Sequence, residues 1–260
     1  MTETIRLNRD ARGVVTLWLA RTEKHNALDA QMISEITQVI RHLGQDKTVR
    51  VVVLAAEGKS FCAGGDLRWM QANMTARPEE RAASARALAE MLAALDTCPK
   101  PVIGRVQGNA FGGGVGMISV CDVAIAVPDA RFGLTETRLG LTPATISPYV
   151  IARMGAAKAR RVFMSSRLFG AEEAVALDLI ARVVAPEALD GAIEAEIAPY
   201  LTCAPGAVAD AKALVHMLSK GADSALQEAT ISALVQRWES DEAGAGIAAF
   251  FDRKPPPWAL

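Results

Sequence analysis

Four short apolar runs, rich in β-branched side chains, stand out in the hydrophobic pattern of the chain. They are residues 14–19, 49–55, 101–106 and 121–127. Short apolar runs of this composition are typical of strands that are covered on both faces of a sheet. The pattern therefore predicts a buried central sheet.

Helix-like segments separate these predicted strands. Behind Asp29, a candidate N-cap, four apolar residues recur at helical spacing. These residues are Ile33, Ile36, Ile40 and Leu43. Residues 78–95 form a second, alanine-rich amphipathic run. Alternation of strand and helix is typical of an α/β fold with a parallel sheet, and the pattern favours stacked βαβ turns over a closed barrel.

The last hundred residues have a different character. From Arg153 onward the chain is almost entirely helix-like, with long amphipathic runs at 205–220 and 222–239. The end, residues 248–258, predicts a helix that is stopped by prolines. We therefore predict a βα core over residues 1–200 and a helical region over 201–260. Such helical regions often carry contacts between subunits, and the alternative is a cap on the core.

Composition excludes several classes of function. The 260 residues are 51% hydrophobic, which fits one large domain or one domain with a small appendage. The net charge of −1 gives no bulk attraction to nucleic acid or to a membrane surface. The four cysteines and three histidines do not cluster, so neither a metal site nor a disulfide framework is predicted. A polar N-terminus and the lack of long apolar runs indicate a cytoplasmic protein, with no membrane association.

Two glycine-rich turns are the strongest candidates for chemistry. They cover residues 61–66 and 108–114, and each follows a strand-like run and opens a helix-like run. Glycine permits close approach of a ligand to the main chain, and the first N–H groups of a helix attract negative charge. Two such helix starts that converge on one point form an oxyanion hole. The alternative for each turn alone is an ordinary connection between a strand and a helix.

Glu136 is the candidate acid or base. It lies among small and apolar residues in the segment 131–143. A carboxyl group in such surroundings tends to have a raised pKa and can exchange protons near neutral pH. The alternative is a surface glutamate in a first helical turn.

Together these segments resemble the crotonase (enoyl-CoA hydratase/isomerase) superfamily. The resemblance rests on residues 21–28, 61–66, 112–114 and 132–143 in this order, and extends to the tail at 249–254. It implies a βαβ superhelix (spiral) core with a helical C-terminal trimerisation region, assembled as a homotrimer or homohexamer. The implied chemistry is stabilisation of an enolate of a coenzyme A (CoA) thioester, with CoA as part of the substrate and no separate cofactor.

The resemblance also assigns roles to residues. The backbone N–H groups of Gly65 and Gly113 form the implied oxyanion hole, and Glu136 is the implied acid/base group. A further set is implied to bind the CoA portion. It consists of Lys24, Ala27, Leu28, Ala63, Gly64, Asp66 and Leu67, together with Phe250 and Arg253 in the tail, where the alternative is a solvated basic helix end.

One departure from the family bears on the mechanism. Hydratases of this superfamily usually have two glutamates, and the position of the first is Gly116 here, so that Glu136 is alone. Three interpretations remain open: a hydratase with one glutamate, a double-bond isomerase that uses Glu136 as its only base, and a non-catalytic acyl-CoA binder. The presence of Glu136 argues against the binder.

A finer resemblance concerns the substrate. Residues 111–116, 135–141 and 143–149 resemble a bacterial subgroup that hydrates 3-methylglutaconyl-CoA or isohexenylglutaconyl-CoA, whereas more common hydratases have a glycine-rich stretch at 143–149. Such substrates carry a second carboxylate, for which Arg68 and Arg138 are candidate partners; the alternative is that both are surface residues. We expect the acyl pocket to include Trp69, Met70 and the helix that follows.

Overall fold

The strands of the chain form two sheets. The computed structural model describes residues 2–219 and 241–258, so the predicted helical run 222–239 lies outside the described residues. The larger sheet consists of β1 (Ile5–Arg9), β2 (Val14–Leu19), β3 (Val51–Ala56), β5 (Val102–Val106), β7 (Val123–Ala126) and β10 (Arg182–Val183), and the smaller sheet of β4 (Ser60–Cys62), β6 (Asn109–Phe111), β8 (Arg131–Gly133) and β9 (Leu168–Gly170).

Helices lie between the strands in the sequence, and further helices come after the last strand. They are α1 (Ala30–Gln45), α2 (Leu67–Thr75), α3 (Pro78–Asp96), α4 (Gly113–Ser119), α5 (Ser147–Phe163), α6 (Ala171–Ala176), α7 (Leu189–Leu201), α8 (Pro205–Leu218) and α9 (Asp241–Phe251). Short 3₁₀ helices cover Thr22–Lys24, Glu136–Leu139 and Pro186–Ala188. The predicted α/β class and its alternation of strand and helix are confirmed.

The order of strands shows how the chain winds. The larger sheet runs β1-β2-β3-β5-β7-β10, and only the β1–β2 pair is antiparallel. The smaller sheet runs β4-β6-β8-β9, with its first two pairs parallel. Each of β3, β5 and β7 is followed by a strand of the smaller sheet, so the chain passes from the larger sheet to the smaller one three times, returning each time. This repeated unit is the predicted spiral.

The centre of the larger sheet is apolar because both of its faces are covered. Every residue of β3 is buried, as its continuous apolar sequence predicts. On α1, the predicted stripe packs into the same core, and Ile33, Ile36 and Ile40 are all buried. The Asp29 carboxylate accepts a hydrogen bond from the Met32 N–H at 2.9 Å, which confirms the predicted N-cap.

The C-terminal region is attached to the larger sheet at the N-terminal ends of its parallel strands. On α8, Lys212 Nζ donates to the Asp122 carboxylate at 2.7 Å, directly before β7. The Arg50 guanidinium, directly before β3, donates to the Trp258 carbonyl at 3.2 Å. Both anchors lie where the parallel strands begin. The C-terminal ends of these strands lie on the opposite side of the sheet, and for the six residues of β3 the two ends are about 20 Å apart.

Two local features differ from the sequence-based expectation. The short strands of the smaller sheet were not predicted, because three residues give no measurable periodicity. The family resemblance implies a strand end at residues 24–28, but the structure has a tight turn there, in which His25 and Asn26 have left-handed φ angles of 50° and 55°. The Asn26 amide compensates by donating to the Glu57 and Ser60 carbonyls, each at 2.9 Å.

No helix in residues 2–219 or 241–258 combines the length and the apolar content that crossing a membrane requires.

We predict that Gly108→Ala destabilises the protein far more than Gly191→Ala. A β carbon at Gly108 would lie 2.1 Å from the Lys59 carbonyl oxygen, a contact that only backbone movement relieves, whereas at Gly191 on α7 it would meet nothing within 4 Å. In chemical denaturation we expect Gly108→Ala to lower the free energy of unfolding by about 3 kcal/mol. We expect Gly191→Ala to raise the free energy of unfolding by about 0.5 kcal/mol. Equal unfolding free energies for the two variants would contradict the close approach at Gly108.

Candidate active site

The two glycine turns lie against each other beyond the ends of the parallel strands. Gly64 has a φ of 94°, and a β carbon there would lie 3.3 Å from the Phe111 carbonyl oxygen. Gly112 has a φ of 48°, and its β carbon would lie 3.9 Å from the Gly64 Cα. Both positions favour glycine because of their left-handed backbone angles, and at Gly64 the Phe111 carbonyl of the other turn also leaves little room for a side chain.

Each turn leads into a helix, as the sequence predicts. Leu28 holds the first turn, since its N–H donates to the Gly64 carbonyl at 2.7 Å and its carbonyl accepts from the Asp66 N–H at 2.8 Å. Gly65 lies between these two bonds, and Gly113 is the first residue of α4. Among the described residues, neither the Gly65 N–H nor the Gly113 N–H donates to a protein acceptor. Both donors are thus available to a ligand.

Glu136 lies beside the second turn. It begins the 3₁₀ helix Glu136–Leu139, and its Oε1 would lie 2.9 Å from a β carbon at Gly112. Its Oε2 is buried and has no hydrogen-bond partner in the part of the chain that the structure describes. Burial raises the pKa of the Glu136 carboxyl above its ordinary value, as predicted. An unpaired carboxyl with a raised pKa is suited to proton transfer.

Apolar side chains surround the two free N–H groups. Leu28 Cδ1 lies 2.6 Å from the position of a β carbon at Gly113. Met70 Sδ and Trp69 Cζ3 lie 3.2 and 3.6 Å from the corresponding position at Gly65. These contacts support the expected location of Trp69 and Met70 in the acyl pocket. Apolar walls strengthen the interaction of the N–H groups with a negatively charged oxygen.

Arg21 is a residue whose role the sequence did not reveal, although it lies in the segment 21–28. Its Nη2 contacts the Asp29 and Asp66 carboxylates at 3.0 and 3.2 Å. Asp66 also caps α2 by accepting from the Arg68 N–H at 2.9 Å. Burial acts against ionisation of Asp66, but these backbone N–H groups and the guanidinium lower its pKa overall. Arg21 thus fixes the starts of α1 and α2, and with them the turn that contains Gly65.

The comparison with known protein families agrees with this geometry. The model of the family described as enoyl-CoA hydratase/isomerase matches residues 9–259. The chain belongs to this family. Its predicted membership of the crotonase superfamily is confirmed.

Individual relatives in the enoyl-CoA hydratase/isomerase family match this chain over different shares of its length. The enoyl-CoA hydratase AKT6-1 of Alternaria alternata is 36% identical over 185 residues, which cover 68% of this chain and 60% of that protein. An enoyl-CoA hydratase structure from Shewanella pealeana has a TM-score of 0.95 at 37% identity, covering 99% of this chain and 97% of the other. Pseudomonas aeruginosa AtuE has a TM-score of 0.95 at 34% identity, covering 99% and 100%. The family fold therefore extends over nearly the whole chain.

The residues that the resemblance assigns to CoA binding are only partly brought together. Leu28, Gly64 and Asp66 meet at the first turn, and the Asp66 carboxylate is engaged by helix capping and by Arg21. Around this turn Ala27 is buried, and three further members are exposed, namely Lys24, Ala63 and Leu67. Their role in binding CoA stays a prediction.

The two tail residues lie in a separate part of the chain. Phe250 is on α9, and Arg253 is exposed just after it. The tail that follows is anchored through the Trp258 carbonyl to Arg50, directly before β3. That these residues cover a nucleotide stays a prediction.

The candidate partners for a second substrate carboxylate are both exposed. Arg138 donates through Nη2 to the Ser166 carbonyl at 3.5 Å, and its backbone N–H donates to the Ser166 hydroxyl at 2.9 Å. Arg68 lies in the first turn of α2, next to Trp69. Of the two, only Arg68 adjoins a residue that contacts Gly65.

We predict that the stability of Glu136→Gln relative to the wild type increases from pH 4.5 to pH 8. Because burial raises the pKa of Glu136 above its ordinary value of 4.5, the folded state binds more protons than the unfolded chain between the two pKa values. Wild-type stability therefore falls as the pH rises through this range, and glutamine does not titrate. Urea titrations at several pH values measure the difference.

The matched control for the loss of one negative charge is Glu172→Gln, at an exposed glutamate on α6. A pH-independent difference between Glu136→Gln and the wild type would contradict a desolvated, unpaired carboxylate.

Proposed function

We propose that this protein hydrates a 2-enoyl-CoA thioester through an enolate held in an oxyanion hole. The observation that carries the proposal is the half-buried carboxylate of Glu136, whose Oε2 is buried and has no partner among the described residues, next to two glycine turns that offer the free N–H groups of Gly65 and Gly113. The family match supports the same chemistry.

The proposed reaction uses Glu136 twice. The ionised carboxylate accepts a proton from water as the water oxygen bonds to the β carbon, and the electrons of the double bond move to the thioester oxygen. The N–H groups of Gly65 and Gly113 stabilise the resulting enolate, and each such donor contributes roughly 3 kcal/mol in comparable sites. Protonated Glu136 then gives the proton to the α carbon. The product is a 3-hydroxyacyl-CoA, and Glu136 returns to its ionised form.

For the substrate, we propose a branched or carboxylated acyl chain such as that of 3-methylglutaconyl-CoA, an intermediate of leucine breakdown. The support is the resemblance of residues 111–116, 135–141 and 143–149 to hydratases of such substrates. The cation for the second carboxylate would be Arg68, which is exposed beside the residues that contact Gly65. We further propose that the protein is cytoplasmic and assembles as a homotrimer or homohexamer.

Double-bond isomerisation is the second candidate. Gly116 occupies the position of the first glutamate, so Glu136 is the only carboxylate at either family position. A single base suffices to take a proton from the α carbon of a 3-enoyl-CoA and to return it to the γ carbon. A non-catalytic binder does not need a half-buried carboxylate with a raised pKa, and this feature argues against that function.

We predict that Glu136→Gln lowers turnover by about 100-fold or more with little change in CoA-ester affinity. Glutamine keeps the size of the side chain and removes proton exchange. Turnover is measured on 3-methylglutaconyl-CoA, 2-enoyl-CoA and 3-enoyl-CoA esters, and affinity is measured by calorimetry. Incorporation of ¹⁸O from labelled water at the β carbon identifies a hydratase, whereas migration of the double bond without label identifies an isomerase. Full activity of Glu136→Gln in both assays would exclude both mechanisms.

We also predict that Gly113→Pro reduces kcat/KM by about 100-fold or more relative to Gly113→Ala. Both variants add a β carbon next to Leu28 Cδ1, but only proline removes the N–H. Gly113 is the first residue of α4, a position at which helices accept proline. Equal activity of the two variants, with both shown to be folded by thermal melting, would mean that the oxyanion is bound elsewhere.

A further inference from the structure

Two departures from the common hydratase pattern meet in space. The first is Gly116 on α4, in place of a glutamate, and the second is the segment 143–149, in place of a glycine-rich stretch. A β carbon at Gly116 would lie 2.5 Å from Ile146 Cγ2 and 3.0 Å from Ile146 Cβ. It would lie 3.5 Å from Leu92 Cδ2 on α3. Even an alanine at Gly116 therefore requires Ile146 to move.

Ile146 is not free to move away. Its side chain is 2% exposed and belongs to the core, and a β-branched side chain has few alternative rotamers. The Ile146 carbonyl accepts from the Val150 N–H at 3.1 Å, at the start of α5. Just before it, the Pro143 carbonyl accepts from the Ser147 hydroxyl at 2.7 Å. The backbone that carries Ile146 is thus held on both sides.

The location of this contact relates it to the chemistry. Gly116 follows Gly113 by three residues of the same helix, a rise of about 4.5 Å. The region next to Gly116 thus lies near the carbons that adjoin a thioester held at the Gly113 N–H. The first side-chain atom of a glutamate at Gly116 would collide with buried apolar atoms of Ile146 and would contact Leu92, so a carboxylate at this position requires Ile146 to shift.

We infer that Ile146 occupies the place of a second carboxylate and determines specificity by restricting the site to reactions that Glu136 performs alone. This inference rests on the proposed function. Ile146 does not touch the reacting atoms; it acts by excluding a second acid and its water. Gly116 and Ile146 form a matched pair, in which the small residue and the large one are required together.

Thermal melting of the wild type and five variants tests the pairing. Gly116→Ala should lower the melting temperature in the wild-type background, and should lower it less, or raise it, in the background of Ile146→Ala. Ile146→Ala alone should lower the melting temperature by about 5 °C or more, because it removes buried atoms. Gly191→Ala, a glycine on α7 with open space around it, is the control and should have the same effect in both backgrounds. Equal effects of Gly116→Ala in the two backgrounds would overturn the pairing.

Hydration kinetics test the effect on specificity. The variant Gly116→Glu/Ile146→Ala should hydrate a simple 2-enoyl-CoA at least about 10-fold faster than Ile146→Ala, since a second acid/base group contributes factors of this size or larger. Gly116→Glu alone should be poorly folded. A double variant that is folded, binds the CoA ester and hydrates no faster than Ile146→Ala would overturn the inference. So would a Gly116→Glu variant that is as stable and as active as the double variant.

The proposed function is judged separately by Glu136→Gln in the wild-type background. Loss of activity in Glu136→Gln together with no coupling between positions 116 and 146 would overturn only the inference about Ile146. Full activity of Glu136→Gln would overturn the proposed function itself.

Discussion

The close approach of two backbone segments is the constraint on which the rest of the site depends. Gly64 and Gly112 bring the two turns within van der Waals contact, and Gly114 meets the Cys62 carbonyl oxygen, which would lie 2.7 Å from a β carbon at Gly114. Side chains at these positions would separate β4 from β6 and the start of α2 from that of α4. The free N–H groups of Gly65 and Gly113 each follow directly on one of these glycines, so the contact between the turns determines where both donors lie.

The carboxylates near the glycine turns differ in their electrostatic surroundings: Asp29 and Asp66 have charged and hydrogen-bonded partners, whereas the buried oxygen of Glu136 has none among the described residues. Asp29 and Asp66 share the Arg21 guanidinium, and each caps a helix by accepting hydrogen bonds from backbone N–H groups. Glu136 has neither a cation nor a hydrogen-bond donor at its buried oxygen within the described residues, and the folded state pays for its ionisation. Glu136 is reactive because it lacks the ion pair and the backbone hydrogen bonds that Asp29 and Asp66 have. The stability that this arrangement costs is offset by burial of the large apolar core.

The sequence predicted features that local patterns specify, and it missed those that depend on distant contacts. The Asp29 N-cap, the buried β3 and both glycine turns follow from spacing and composition, and the structure contains all of them. The three-residue strands of the smaller sheet have no periodicity of their own, because neighbouring strands stabilise them. The contact of Gly116 with Ile146 joins residues thirty positions apart, and the sequence shows each only as a separate departure from the family.

That contact also constrains how the protein can change over evolutionary time. While Ile146 is present, a glutamate that arises at position 116 collides with the core and is selected against through lost stability. If Ile146 becomes smaller first, a cavity opens and the folded protein again loses stability. Either order of single substitutions passes through a weakened intermediate. A protein that has both Gly116 and Ile146 can therefore gain a glutamate at position 116 only by way of a single variant with lower stability.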